Sequence, residues 1–220
     1  LPPIAGAAMI ARLDHLVVAA RDLDSGSAWL ETRLGVALSP GGAHPRMGTH
    51  NRVLRLGDGV YLELIAVDPA APPPGRPRWF GLDEPALATR LAGRPHLVAW
   101  AANTDDLDAA VAASPFGHGS IAEMTRGDLA WRITIPADGR TVEDGAVPTL
   151  IGWPPGVHPT KRMASSGCSL ERLTIRHPDP QRIRDGLAAI GLVDLSVRVV
   201  EGVPSLAASI TSPTGRALID

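Results

Sequence analysis

An Asp-Leu-Asp triplet follows an apolar strand twice in this chain, at residues 22–24 and 106–108. The offset is 84 positions (106 − 22 = 84). Both triplets open a helix, in "RDLDSGSAWL" and "DDLDAAVAA". Both modules also end alike, with an apolar strand running into proline, "YLELIAVDP" and "PTLIGWPP". A repeat of this kind constrains the fold more than any single element, because two copies must bury their apolar faces together. The plainer alternative is an α+β protein whose elements merely look alike.

Within the first copy, "RLDHLVVAA" reads as a strand. The helix after it takes Asp24 or Ser25 as its cap, puts Trp29, Leu30 and Leu34 on one face, and stops at Gly35. "GVALS" reads as a short strand. Residues 48–68, "GTHNRVLRLGDGVYLELIAVD", read as two strands joined at Gly-Asp-Gly. A Pro-rich connector, "PAAPPPGRPR", leads to a short helix at "EPALATRLAG". In the second copy "HLVAWAANT", "DLAWRITIP" and "VPTLIGW" read as strands, "DDLDAAVAAS" as a capped helix and "DGRTVEDGA" as a turn. A third unit starts at "SLERLTIRH". Asp179 caps its helix with Pro180 as the first helical residue, and Ile183, Leu187 and Ile190 share a face. Strands "LSVRVVEG" and "SLAASITSP" follow, with "GRALID" a candidate for one more. The modules are therefore 11–68 and 94–153, joined by a linker and short helix at 69–93, with a partial βαββ unit at 168–220.

Composition narrows the function classes. The net charge is −2, which favours neither nucleic acid nor an anionic membrane. The longest apolar run, Leu97 to Ala102, is far short of the roughly 20 residues of a membrane span. The beginning of the chain lacks the pattern of a secretory signal; Met9 is a candidate natural start, with residues 1–8 preceding it, and the cytoplasm is the default location. The single cysteine, Cys168, excludes an intramolecular disulfide and a Cys-rich zinc site, and reads as a buried, inert thiol. No phosphate-binding glycine loop, nucleophile elbow or His-Glu-x-x-His is present, so no nucleotide cofactor is expected.

Glu63 is the residue that asks for an explanation. Val60, Leu62 and Leu64 fall on one face of its strand, and Tyr61, Glu63 and Ile65 on the other. A carboxylate among such neighbours faces either water or a site. His50 and Asn51 begin the preceding strand, and Trp131 and Arg132 are their counterparts in the second module. Adjacent strand residues point to opposite faces, so one of each pair lines the interior. Trp100 and Trp153 read as core. His44, in "GGAHPRMG", reads as part of a surface loop. His118 and His158 receive no role, and His177 reads as structural.

The stretches "LDHLVVAARDLDSGSAWLETRLG" and "YLELIAVDP" resemble the vicinal oxygen chelate superfamily of glyoxalase I, bleomycin-resistance proteins and extradiol dioxygenases, and more specifically its glyoxalase-like proteins of unassigned activity. The resemblance implies an α+β fold. Paired βαβββ modules form a curved, cup-like mixed sheet, with the partial third unit beside it. It implies a divalent metal, with Zn, Ni, Fe and Mn not distinguished, held by His15 and Glu63, 48 positions apart (63 − 15 = 48). It implies Glu63 and His50 as catalytic groups, and Asn51, Tyr61, Trp131 and Arg132 as substrate contacts. The second module departs from the pattern. The helix offset carries His15 onto Ala99, and the last-strand register carries Glu63 onto Thr149. Two functions stay open: a metalloenzyme of lyase, isomerase or dioxygenase type acting on an oxygen-bearing metabolite, and a non-catalytic binding or resistance protein with a degenerate metal site. The expected partner is a small molecule, with no nucleic acid or membrane. The expected state is a monomer or homodimer, the third unit covering a sheet edge.

Overall fold

The computed structural model describes residues 10–220. Met9 and the residues before it lie outside that range. The first module contains β1 (Ala11–Ala19), α1 (Leu23–Leu34), β2 (Ser39–His44), β3 (Thr49–Gly57) and β4 (Val60–Val67). The linker carries α2 (Pro85–Gly93). The second module contains β5 (His96–Thr104), α3 (Leu107–Ala113), β6 (Ser120–Arg126), β7 (Leu129–Ile135) and β8 (Thr149–Gly152). The third unit contains β9 (Ser169–His177), α4 (Pro180–Ala189), β10 (Val197–Glu201), β11 (Ser205–Ser212) and β12 (Gly215–Ile219).

Local chemistry sets the helix starts. Asp22, rather than Asp24 or Ser25, caps α1 by accepting the Ser25 amide at 2.7 Å. Asp106 does the same for α3 with the Ala109 amide at 3.0 Å. In each triplet the first Asp caps, the Leu is buried, and the second Asp lies in the first turn, where the helix dipole favours it. Gly35 ends α1 at φ 68°, and Asp179 with Pro180 starts α4 as expected.

Eight strands form one curved sheet in the order β2-β3-β4-β1-β5-β8-β7-β6. The order is the same read from either end, with β1 and β5 antiparallel at the centre. Each module's last strand is parallel to its first. Their registers match: Glu63 pairs with Val17 and Thr149 with Ala101, and 101 − 17 = 84, the helix offset again. The repeat is thus physical, and Ala99 and Thr149 are the counterparts of His15 and Glu63.

Two strands differ from the sequence reading. β2 is formed by "SPGGAH" rather than "GVALS", because an edge strand tolerates Pro and Gly with an irregular ladder. β6 arises from residues 120–126, where no strand was expected, by pairing along β7. β12 is the strand for which "GRALID" is the candidate; it makes the third unit βαβββ rather than βαββ, with the sheet order β10-β9-β11-β12.

Two cores result. One lies between the convex face of the large sheet, α1, α3 and α4, and the small sheet, joining Leu16, Leu62, Leu64 and Trp100 to Leu173, Ile175, Ile210 and Ile219. The third unit therefore covers a sheet face, not an edge. The two edges, β2 and β6, approach each other instead, and the Arg46 guanidinium donates to the Glu123 carbonyl across the gap. The second core fills the cup. The linker folds into the cup rather than bridging it: Trp79, Phe80, Leu82, Leu87 and Leu91 pack on Val17, Ile65, Trp131 and Ile133.

Candidate functional site

A β-bulge builds the centre of the site. Leu13 pairs with Ala102 and His15 with Ala101, so Asp14 is the extra residue on β1. Leu13 consequently lies in the helix-side core, while Asp14 and His15, adjacent in sequence, are both buried and in contact. His15 Nδ1 donates to Asp14 Oδ1 at 2.6 Å. The other Asp14 oxygen accepts from Trp153 Nε1 at 2.9 Å and meets His158 Nε2 at 3.0 Å. Burial alone raises the Asp14 pKa. The hydrogen bonds and charges of His15 and His158 outweigh burial and hold it at about 2. Asp14 is therefore a buried anion that fixes the His15 ring and directs Nε2 outward.

That nitrogen faces Glu63 Oε2 at 3.8 Å. Glu63 is 6% exposed, which resolves the oddity of a carboxylate beside Tyr61 and Ile65. Val53 and Asn51 lie beside it on β3, and Asn51 Nδ2 donates to Glu63 Oε1. The amide is oriented by the Gly42 N–H, which donates to Asn51 Oδ1 at 2.8 Å. Gly41 must lack a side chain, since a Cβ there would lie 2.0 Å from Asn51 Oδ1. His44 Nε2 stands 3.9 Å from Glu63 Oε1, and Nδ1 contacts Thr49 Oγ1 at 3.1 Å. Burial lowers the His44 pKa to about 4, so this ring is neutral near neutral pH. Tyr61 stacks on His15 with centroids 4.6 Å apart, and burial keeps its hydroxyl protonated by raising its pKa.

The rest of the lining is mostly apolar: Trp131, Ile133, Ile151 and Trp153, with Trp79 and Phe80 from the linker and the Arg126 side chain. The cavity between the walls measures about 20 Å³, room for about one water. The Trp79 indole N–H is buried there without a hydrogen-bond partner.

His15, Glu63, Tyr61 and Trp131 thus line one cavity, and Asn51 supports Glu63 beside it. His50 and Arg132 do not line it. His50 lies on the side of β3 that carries Arg52, which reaches Ser27 and Asp24 of α1. Arg132 lies outside, paired with Asp108. Alternation along a strand sends one of each adjacent pair outward, and here it is these two. His44 is buried, not on a surface loop, and His158 reaches the site from the segment after β8. Asp14, His44 and His158 escaped the sequence reading. The adjacent "DH" of β1 was the one available hint.

The donor set does not fit the divalent centre that the resemblance implies. The Asn51 amide occupies the space between Glu63 and His44, with Nδ2 3.5 Å from His44 Nε2. The second module offers Ala99 and Thr149. Among the described residues, no group of three or more His, Cys, Asp or Glu side chains is arranged to hold an ion.

Two symmetric βαβββ modules closed around a one-sided polar site define a protein of the vicinal oxygen chelate kind. The chain belongs to the glyoxalase-like domain family, which it matches over residues 13–191. No curated protein matches it in sequence. Among solved structures it is similar to a hypothetical protein from Staphylococcus aureus, at 15% identity and a TM-score of 0.63, over 96% of this chain and 99% of that one. Methylmalonyl-CoA epimerase from Mycobacterium tuberculosis gives 20% identity and a TM-score of 0.42, over 70% and 95%. A methylmalonyl-CoA epimerase in complex with methylmalonyl-CoA and NH4+ gives 21% and 0.43, over 68% and 99%. No helix among the described residues is long and apolar enough to cross a membrane.

Proposed function

We propose that the chain is an enzyme that moves a proton on a small carbonyl compound, with Glu63 as base and His15 as its acid partner. One observation carries the reading: a buried carboxylate and an oriented imidazole face each other across 3.8 Å, too far for a hydrogen bond and open to a reacting group. Glu63 takes a proton from a carbon beside the carbonyl. The C–H electron pair becomes the C=C bond of an enol as the carbonyl oxygen takes a proton from His15 Nε2. The Asp14 carboxylate supports the charge on His15, and the apolar wall strengthens each of these interactions by excluding water. Return of a proton to the carbon completes an isomerisation or an exchange.

The metal-dependent lyase or dioxygenase reading has no matching donor set, and no step here uses an ion. A non-catalytic binding protein is the second reading; either function needs the side chains around the cavity of about 20 Å³ to move apart to admit a ligand, and proton exchange separates the two. Incubation with a panel of small 2-oxo acids, hydroxyketones and their esters in D2O, with proton NMR as the readout, tests the proposal. Protein-dependent loss of a C–H signal beside a carbonyl, unaffected by chelator, is the expected result. No exchange on any member, or exchange abolished by chelator and restored by a divalent ion, contradicts it.

A further inference from the structure

The second module sends one charged side chain into the cavity. Arg126 ends β6, opposite Leu129 in the hairpin to β7. Its stem crosses Gly42, where a Cβ would lie 2.8 Å from Arg126 Cγ and 2.9 Å from Cδ. A glycine at 42 therefore clears the way for this side chain, while Gly42's own N–H orients Asn51 against Glu63. Arg126 lines the inner cavity together with His15, His44 and Glu63. It also lines a surface groove of about 570 Å³ with Gly41, Gly42, Asp128 and Arg162. Arg126 thus lines both groove and site.

Nearby arginines are engaged: Arg46 with the Glu123 carbonyl, Arg132 with Asp108 and Arg162 with Asp128. Arg126 makes no hydrogen bond or ion pair among the described residues. The charged residues of the groove are Arg126, Asp128 and Arg162, and the last two neutralise each other. What remains is one positive charge, with five N–H donors in a planar fork. The other barriers to the cavity are packed rings, Phe80 on one side and Trp131 and Trp153 on another. A flexible arginine is the part of the wall that moves at least cost. A planar fork of donors pairs with a planar carboxylate through two parallel hydrogen bonds.

We infer that Arg126 binds a carboxylate of the substrate, so that the substrates are small carboxylic acids whose reacting C–H lies within a few bonds of that group. A carboxylate arriving along the groove draws the guanidinium aside, pairs with it, and brings the adjacent carbon to Glu63. The inference rests on the proton-transfer reading for the chemical step, and not for the binding itself.

Malonate and its neutral dimethyl ester are the probes, at fixed ionic strength. Binding is read by the fluorescence of Trp79, Trp131 and Trp153, and exchange of the central CH2 in D2O by proton NMR. Malonate should give a saturable response. Arg126→Gln should weaken it by roughly tenfold to a hundredfold, the loss of one charge-assisted contact, and leave the response to the ester unchanged. Arg126→Lys should recover part of the loss. Glu63→Gln should keep malonate binding and lose exchange. Equal malonate affinity in Arg126→Gln, or no saturable response in the wild type, overturns the assignment. If Glu63→Gln abolishes exchange while Arg126→Gln changes nothing, Arg126 loses its role and proton transfer stands. If malonate binding depends on Arg126 and the wild type exchanges no proton, the role of Arg126 stands and the proposed chemistry falls.

Discussion

At matched positions the first module holds His15, Glu63 and Asn51 where the second holds Ala99, Thr149 and Ile133, the last lying one residue beyond the Arg132 that the sequence pairs with Asn51. The backbone around them is the same: each last strand is parallel to the first, and the registers agree residue for residue. The helices and last strands differ in length, and the difference that matters to the site is in the side chains on the concave face. Grouping the ionisable residues on one wall lets them satisfy each other, Asp14 with His15 and His158, and Glu63 with Asn51. The wall opposite is mostly apolar, and its polar groups turn toward them: the Trp153 indole N–H donates to Asp14, and Arg126 lines the cavity from β6. A symmetric scaffold with an asymmetric interior teaches that a duplicated fold does not imply a duplicated site.

The contrast is broken most severely at Asp14. Asp14→Asn puts a neutral amide where the buried carboxylate meets two imidazoles and the Trp153 indole N–H. Stability should fall by roughly 3 kcal/mol, as for a buried pair that loses one partner, read by chemical denaturation. Proton exchange should fall by roughly 10³-fold, since His15 loses both its orientation and its counter-charge.

A second break comes from acid. His44 titrates at about 4 in the fold and at 6.5 when unfolded, so the unfolded chain takes up the proton first. Stability is then full above 6.5 and is lost as pH falls toward 4. This group contributes about 3 kcal/mol to that loss, and His118, also lowered to about 4 by burial, adds to the same window. Denaturation midpoints across the window should show a steep decline in the wild type. His44→Gln should show a shallower one, with the part due to His118 remaining.

The second module's wall should respond weakly. Thr149→Val should change exchange by no more than roughly twofold, because no partner on the opposite wall depends on its hydroxyl. Arg132→Ala, outside the cup, removes one exposed, solvent-screened ion pair with Asp108 and should leave both the denaturation midpoint and activity essentially unchanged. A large effect at either position would erase the asymmetry.

The same division separates the features legible in the sequence from those that were not. Asp-Leu-Asp caps and strand alternation depend on near neighbours, so both modules, α4 and the inward turn of Glu63 could be read. Asp14 could not, because alternation fails at a bulge and the bulge is created by pairing with β5. β2 was hidden by Pro and Gly, which an edge strand accepts and a local reading takes for a loop. That loss also hid His44. His158 and the linker's Trp79 and Phe80 come from segments whose position depends on the closed cup, and no spacing in the chain announces it.

The claim that the chemistry resides on the first module's wall is tested most directly by one comparison. Proton exchange on the best member of the carbonyl panel is measured for the wild type, Glu63→Gln and Thr149→Val at equal protein concentration, with folding verified by circular dichroism. Exchange should vanish in Glu63→Gln and persist in Thr149→Val. Exchange in a folded Glu63→Gln at the wild-type rate would contradict the account.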